Sequence, residues 1–181
     1  LHDIIVLSHR LAKDGRRYLK SLVGLSNAEL RALGREYLDR TRVMRRTDRP
    51  LFIDKMPANW SHLGFIRLIL PRARIIDARR HPLACGFSNF KQHYARGQGF
   101  SYSLETIGHH YSEYVRLMAH FDSVSPGAVH RVIHEDLVAN SEAEIRRLLD
   151  YLELPFEEAC LRAHETKRAV RTPSSEQVRR P

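Results

Sequence analysis

The chain has 181 residues, of which 43% are apolar, enough for one domain with a sizeable core and too many for a disordered chain. Lysine and arginine total 30 against 21 acids, a formal net charge of +9, which points either to an anionic partner or simply to a solvated basic surface. Two cysteines exclude a disulfide framework, and no stretch approaches the roughly eighteen apolar residues of a membrane span; no secretory signal is visible, and the expected location is cytoplasmic.

The first segment, "LHDIIVLSHRLA", spaces its apolar residues as a helix does. In "LSNAELRALGREYLDRTR", Ser26 and Glu29 have the spacing of a capping box, and the helix they open is predicted to run to about Arg45 before "DRP" breaks it. The apolar run "LFI" (51–53) reads as a buried strand leading into the tight segment "DKMP". "ANWSHLGFIRLIL" is helical, with Leu63, Ile66 and Leu70 along one face, and Pro71 stops it. "ARIID" is a second strand, and after "RRHP" a helical pattern resumes in "LACGFSNFKQHYA". A glycine-containing loop, "ARGQGFSYS", precedes a long helix from Ser103 to about Phe121. "SPG" turns the chain into a third strand, "AVHRVIH". Ser141 and Glu144 have capping-box spacing before "EAEIRRLLDYLEL", Pro155 opens a further short helix, and from Lys167 the sequence is polar, basic and irregular.

Apolar strands alternating with helices predict an α/β protein, a parallel sheet covered by helices in three layers. Such sheets bind ligands beyond the carboxyl ends of their strands, where Asp54 and Lys55, Arg79 and Arg80, and His134 to Asp136 all fall. Pro82 suits the first turn of a helix, so Arg80 stands just ahead of that turn and Ser88 two turns into it. An arginine and a hydroxyl so spaced suit gripping one phosphate from two directions; equally, the arginine caps a neighbouring helix and the serine faces solvent. Lys55, on a backbone constrained by Pro57, suits stabilising charge on a leaving group, or is an ordinary surface lysine. His134 has the shape to stack on a base, while Glu135 and Asp136 complement a helix start. "VRTPSSEQVRRP" fits a loop folded over an anion and fits a basic tail equally well.

Taken in order, "DKMPANWSHLGFIRLILPRARIIDARRHPLACGFSNFKQHYARG" and "HETKRAVRTPSSEQVRRP" resemble the sulfotransferases that use 3′-phosphoadenosine-5′-phosphosulfate, in the bacterial branch related to protein-tyrosine sulfotransferases and often found behind tetratricopeptide-type helical repeats. The resemblance covers nearly the whole chain, and "RRHP" with a serine eight residues beyond Arg80, followed by T-x-S-x-x-Q-V-R-x-P, carries it. It implies a P-loop-NTPase-like core, here incomplete. It implies that Arg80 and Ser88 hold the donor's 3′-phosphate and that Lys55 stabilises the leaving phosphate or the transferring sulfuryl group, with Ser174 beside it. His134 stands where relatives usually carry a tyrosine near the adenine. The implied partners are the nucleotide sulfate donor and a hydroxyl acceptor, a protein tyrosine, a sugar hydroxyl or a lipid hydroxyl; no metal, nucleic acid or membrane span is implied. The family's glycine-rich phosphate loop and catalytic glutamate have no counterpart here, nor has its C-terminal end. The expectation is therefore one partial domain, residues 1–181, with little activity by itself. The rival expectations are a basic nucleic-acid-binding module and a non-catalytic remnant domain.

Overall fold

The computed structural model describes residues 3–12, 18–45, 47–92, 94 and 98–165. The chain divides into two compact units, Leu1–Ala73 and Arg74–Pro181. The first is helical: α1 (Asp3–Leu11), α2 (Tyr18–Val23), α3 (Asn27–Arg42), a 3₁₀ turn (Pro57–His62) and α4 (Leu63–Ile69). Its core is Ile4 and Leu7 of α1, Leu33 and Tyr37 of α3, and Phe65 and Ile69 of α4. The Ser26–Glu29 capping box forms as predicted: Ser26 Oγ accepts from the Glu29 N–H at 3.3 Å, and Glu29 Oε2 accepts from the Ser26 N–H at 2.8 Å. α3 stops at Arg42, three residues short of expectation. Gly34 lets α3 and α4 meet, because a Cβ there would lie 2.1 Å from the Ile69 carbonyl oxygen.

One predicted strand does not form. Leu51 to Ile53 run without regular structure, and Ile53 is 90% exposed. An apolar run becomes a buried strand only where another strand offers its backbone and a helix covers its side chains. Among the described residues no strand pairs with this one.

The second unit holds β1 (Ile75–Arg79), α5 (Pro82–Lys91), a 3₁₀ turn (Gly99–Tyr102), α6 (Leu104–Val124), β2 (Val129–Ile133), α7 (His134–Ala139), α8 (Ser141–Leu152) and a kinked 3₁₀ stretch (Glu158–Glu165). β1 and β2 pair in parallel from Ile75↔Val129 to Arg79↔Ile133. Successive side chains of a strand point to opposite faces, so Asp77 and Arg131 share one face while Ile76 and His130 share the other. α6 covers the first face, where the Tyr114 hydroxyl donates to Asp77. α8 covers the second, where the Tyr151 ring stacks on His130 with centroids 5.0 Å apart. The Tyr151 hydroxyl also accepts from the Ile75 N–H at 3.0 Å and donates to the Ala128 carbonyl at 2.9 Å, tying the starts of both strands together. The chain is thus mostly helical with a small parallel sheet, the predicted α/β class, and the helix–sheet–helix layering is present in this unit.

The capping box expected at Ser141 is absent. Asn140 is the N-cap, and the Ser141 hydroxyl donates to the Leu137 carbonyl at 2.8 Å. α7 runs almost directly into α8, so a carbonyl of the preceding helix takes the serine. Among the described residues no helix is long and apolar enough to cross a membrane.

Candidate functional site

β1 ends in two arginines with different surroundings. Arg79 turns inward: its Nε donates to Asp77 Oδ2 at 2.8 Å, its guanidinium lies 4.9 Å from the Tyr114 ring centroid, and its side chain is only 15% exposed. Asp77, 6% exposed at its side chain, also accepts from Arg131 Nε at 3.2 Å and from Tyr114. A buried carboxylate is tolerable because two guanidiniums and a phenol satisfy it. Burial, followed by the Asp77 carboxylate, pushes the Tyr114 phenol far above its usual range, so Tyr114 remains a donor to Asp77. Arg131 reaches on to Asp122 Oδ2 at 2.8 Å, extending the network to the surface.

Arg80 is exposed and makes no ion pair among the described residues. The turn after it is fixed from two sides. Pro82 occupies the first helical position of α5, and the His81 N–H donates to Glu135 Oε1 at 3.1 Å across the strand ends. That N–H holds the Glu135 carboxyl below its usual value, and the nearby His134 and Arg80 charges lower it further.

α5 supplies the rest. At about 100° per residue, Ala84, Phe87, Ser88 and Lys91 share one stripe and Gly86 falls opposite. Gly86 faces α6, where a Cβ would sit 3.3 Å from Ile107 Cγ2. The outer stripe, with Arg80 and Gln92 at its two ends, lines an open cavity of about 470 Å³. Ala84 is the small residue of that lining. Phe87 is 60% exposed, with Lys91 Nζ 5.3 Å from its ring centroid. The end of α5 is held by a chain of bonds: Tyr94 Oη donates to Asn89 Oδ1 at 2.7 Å, and Tyr102 Oη donates to the Tyr94 carbonyl at 3.2 Å. An open, cation-bearing groove with one hydroxyl and one amide has the chemistry to receive an anionic oxygen cluster.

The cavity therefore brings together Arg80 and Ser88. It also contains Ala84, Phe87, Lys91 and Gln92, which the sequence reading did not single out; the 3–4 residue spacing around Ser88 was the signal for Ala84, Lys91 and Gln92, and Phe87 follows from Lys91 by the same rule. His134 is the exposed first residue of α7, outside the cavity lining. Lys55 belongs to the first unit, exposed, one residue beyond Asp54, whose Oδ2 accepts from the Tyr37 hydroxyl at 2.6 Å. Ser174 lies outside the described residues.

The profile of the Sulfotransferase family matches residues 13–158. An uncharacterized protein of Aquifex aeolicus (strain VF5) is 31% identical over 173 residues, covering 94% of this chain. The chain spans 23% of that relative's length. With a family match over most of its length, this chain belongs to the sulfotransferase family.

Proposed function

We propose that the chain carries the 3′-phosphate-binding part of a sulfotransferase whose donor is 3′-phosphoadenosine-5′-phosphosulfate and whose acceptor is a hydroxyl, a protein tyrosine being one candidate. In that reaction the acceptor oxygen bonds to sulfur as the bond from sulfur to the donor's phosphate oxygen breaks. The acceptor proton passes to a base, and adenosine 3′,5′-bisphosphate leaves. Positive and hydrogen-bonding groups near the departing phosphate stabilise the charge that develops there.

The observation that carries the reading is that Arg80 and Ser88 open onto one cavity along α5. A guanidinium makes paired, charge-assisted bonds to phosphate oxygens, and a serine hydroxyl closes the opposite side. In this reading Lys55 and Ser174 act at the leaving phosphate and the sulfuryl group, and His134 stacks on or lies beside the adenine. Part of the positive charge that favours the nucleic-acid alternative is neutralised within the fold: Arg10, Arg40, Arg79, Arg131, Arg146 and Arg147 are engaged by carboxylates.

Calorimetric titration with adenosine 3′,5′-bisphosphate tests the proposal, with adenosine 5′-phosphate as the control that lacks the 3′ group. Arg80→Ala is expected to weaken the bisphosphate by about tenfold or more, since a hydrogen bond to a charged group contributes about 1.5–3 kcal/mol. The same variant is expected to leave the weaker 5′-phosphate binding unchanged. Equal affinity of native and variant chains for the bisphosphate would overturn the assignment.

A further inference from the structure

We propose that Lys91 is a second cation of this site and makes it selective for a doubly charged phosphate monoester; the inference rests on the 3′-phosphate reading above. The geometry raises the need for such a group. An anion lying along α5 from Arg80 towards Gln92 leaves the positive amino end of the helix and approaches its negative carboxyl end. A hydroxyl alone at Ser88 offers one donor and no charge against that field.

Lys91 stands one turn beyond Ser88 on the same stripe and lines the same cavity. Its ammonium is not directed away along the helix axis. It turns back towards the amino end and lies 5.3 Å from the Phe87 ring centroid, on the cavity side. The lysine makes no ion pair among the described residues, so moving it onto a phosphate breaks no salt bridge there. An aromatic face holds an ammonium weakly where solvent reaches it, so the ring positions the charge without competing strongly for it. The site then presents a guanidinium at one end, an ammonium at the other and a hydroxyl between. A phosphate monoester, whose second proton leaves at a pKa of about 6, is matched by two cations only in its dianionic form.

The test is titration of the 181-residue chain with adenosine 3′,5′-bisphosphate from pH 5.5 to 8, comparing native, Lys91→Gln, Lys91→Arg and Arg80→Ala. Lys91→Gln is expected to bind about fivefold more weakly at pH 7.5, with the rise in affinity through the phosphate's second ionisation flattened. Lys91→Arg is expected to keep both affinity and pH profile, and adenosine, which carries no phosphate, is expected to be indifferent to position 91. Native affinity and an unchanged pH profile in Lys91→Gln, together with loss in Arg80→Ala, would overturn the role of Lys91 alone. No effect of either substitution would overturn this inference and the phosphate reading with it.

Discussion

Glu135 sets a negative charge beside a site read as anion-binding, yet its carboxylate holds the His81 N–H at the turn that displays Arg80. The two effects oppose each other and separate by substitution. Glutamine keeps an acceptor and removes the charge; alanine removes both. Affinity for adenosine 3′,5′-bisphosphate is expected to be unchanged or improved in Glu135→Gln. In Glu135→Ala it is expected to fall about two- to fivefold, the worth of one exposed hydrogen bond holding a turn. Isothermal titration reads both, and a weaker Gln variant would show that the charge itself is needed. At this scale the sequence was partly legible. Strand alternation from Asp77 puts Arg79 on Asp77's face and Arg80 off it, and the proline fixes where the helix begins. The acceptor across the strand ends was not legible, because the 54-residue separation of His81 and Glu135 carries no local pattern.

Elements were legible where their own residues decide them. Ser26 and Glu29 predicted the start of α3 because both partners of the capping box lie within one turn. Leu51 to Ile53 misled because burial of an apolar run depends on partners elsewhere, and Ser141 misled because Asn140 takes the N-cap position, leaving the serine inside the helix with its hydroxyl donating to the Leu137 carbonyl. The α3–α4 contact yields a stability prediction. Gly34→Ala forces backbone apart at Ile69 and is expected to cost about 1–3 kcal/mol, read as a lower urea midpoint with unchanged slope. The α1–α3 contact yields a pH prediction. Arg10 and Arg40 hold Glu36 and Asp3 below their ordinary values of 4.5 and 3.8. A depressed folded pKa contributes stability above the unfolded value and loses it as pH falls through the folded one. Thermal midpoints are therefore expected to drop as pH falls from about 4.5, by a small amount because both pairs are partly solvated, and to drop less in Arg40→Gln than in the native chain.

At the scale of the molecule, a net charge of +9 invites a nucleic-acid partner, whereas one cavity on α5 favours a nucleotide. Salt separates them. Duplex DNA contacts that neutralise several phosphates weaken steeply with salt, roughly as the number of phosphates engaged. The bisphosphate is expected to bind the chain at about 0.15 M salt and to resist competition by a random duplex, measured by fluorescence displacement. Displacement by the duplex with a steep salt slope would favour the other partner. The neighbouring arginines of β1 carry a last consequence. Arg79 is spent on an interior carboxylate and Arg80 is left to the cavity, although the two are chemically identical. Position tells them apart: Arg79 is the last residue of β1 and takes the face of Asp77, whereas Arg80 lies just beyond the strand, in the turn that Pro82 and the His81–Glu135 bond fix. Inserting or deleting one residue within β1 would move the side chains that follow to the opposite face, turning Arg79 away from its interior carboxylate and leaving that carboxylate short of a cation.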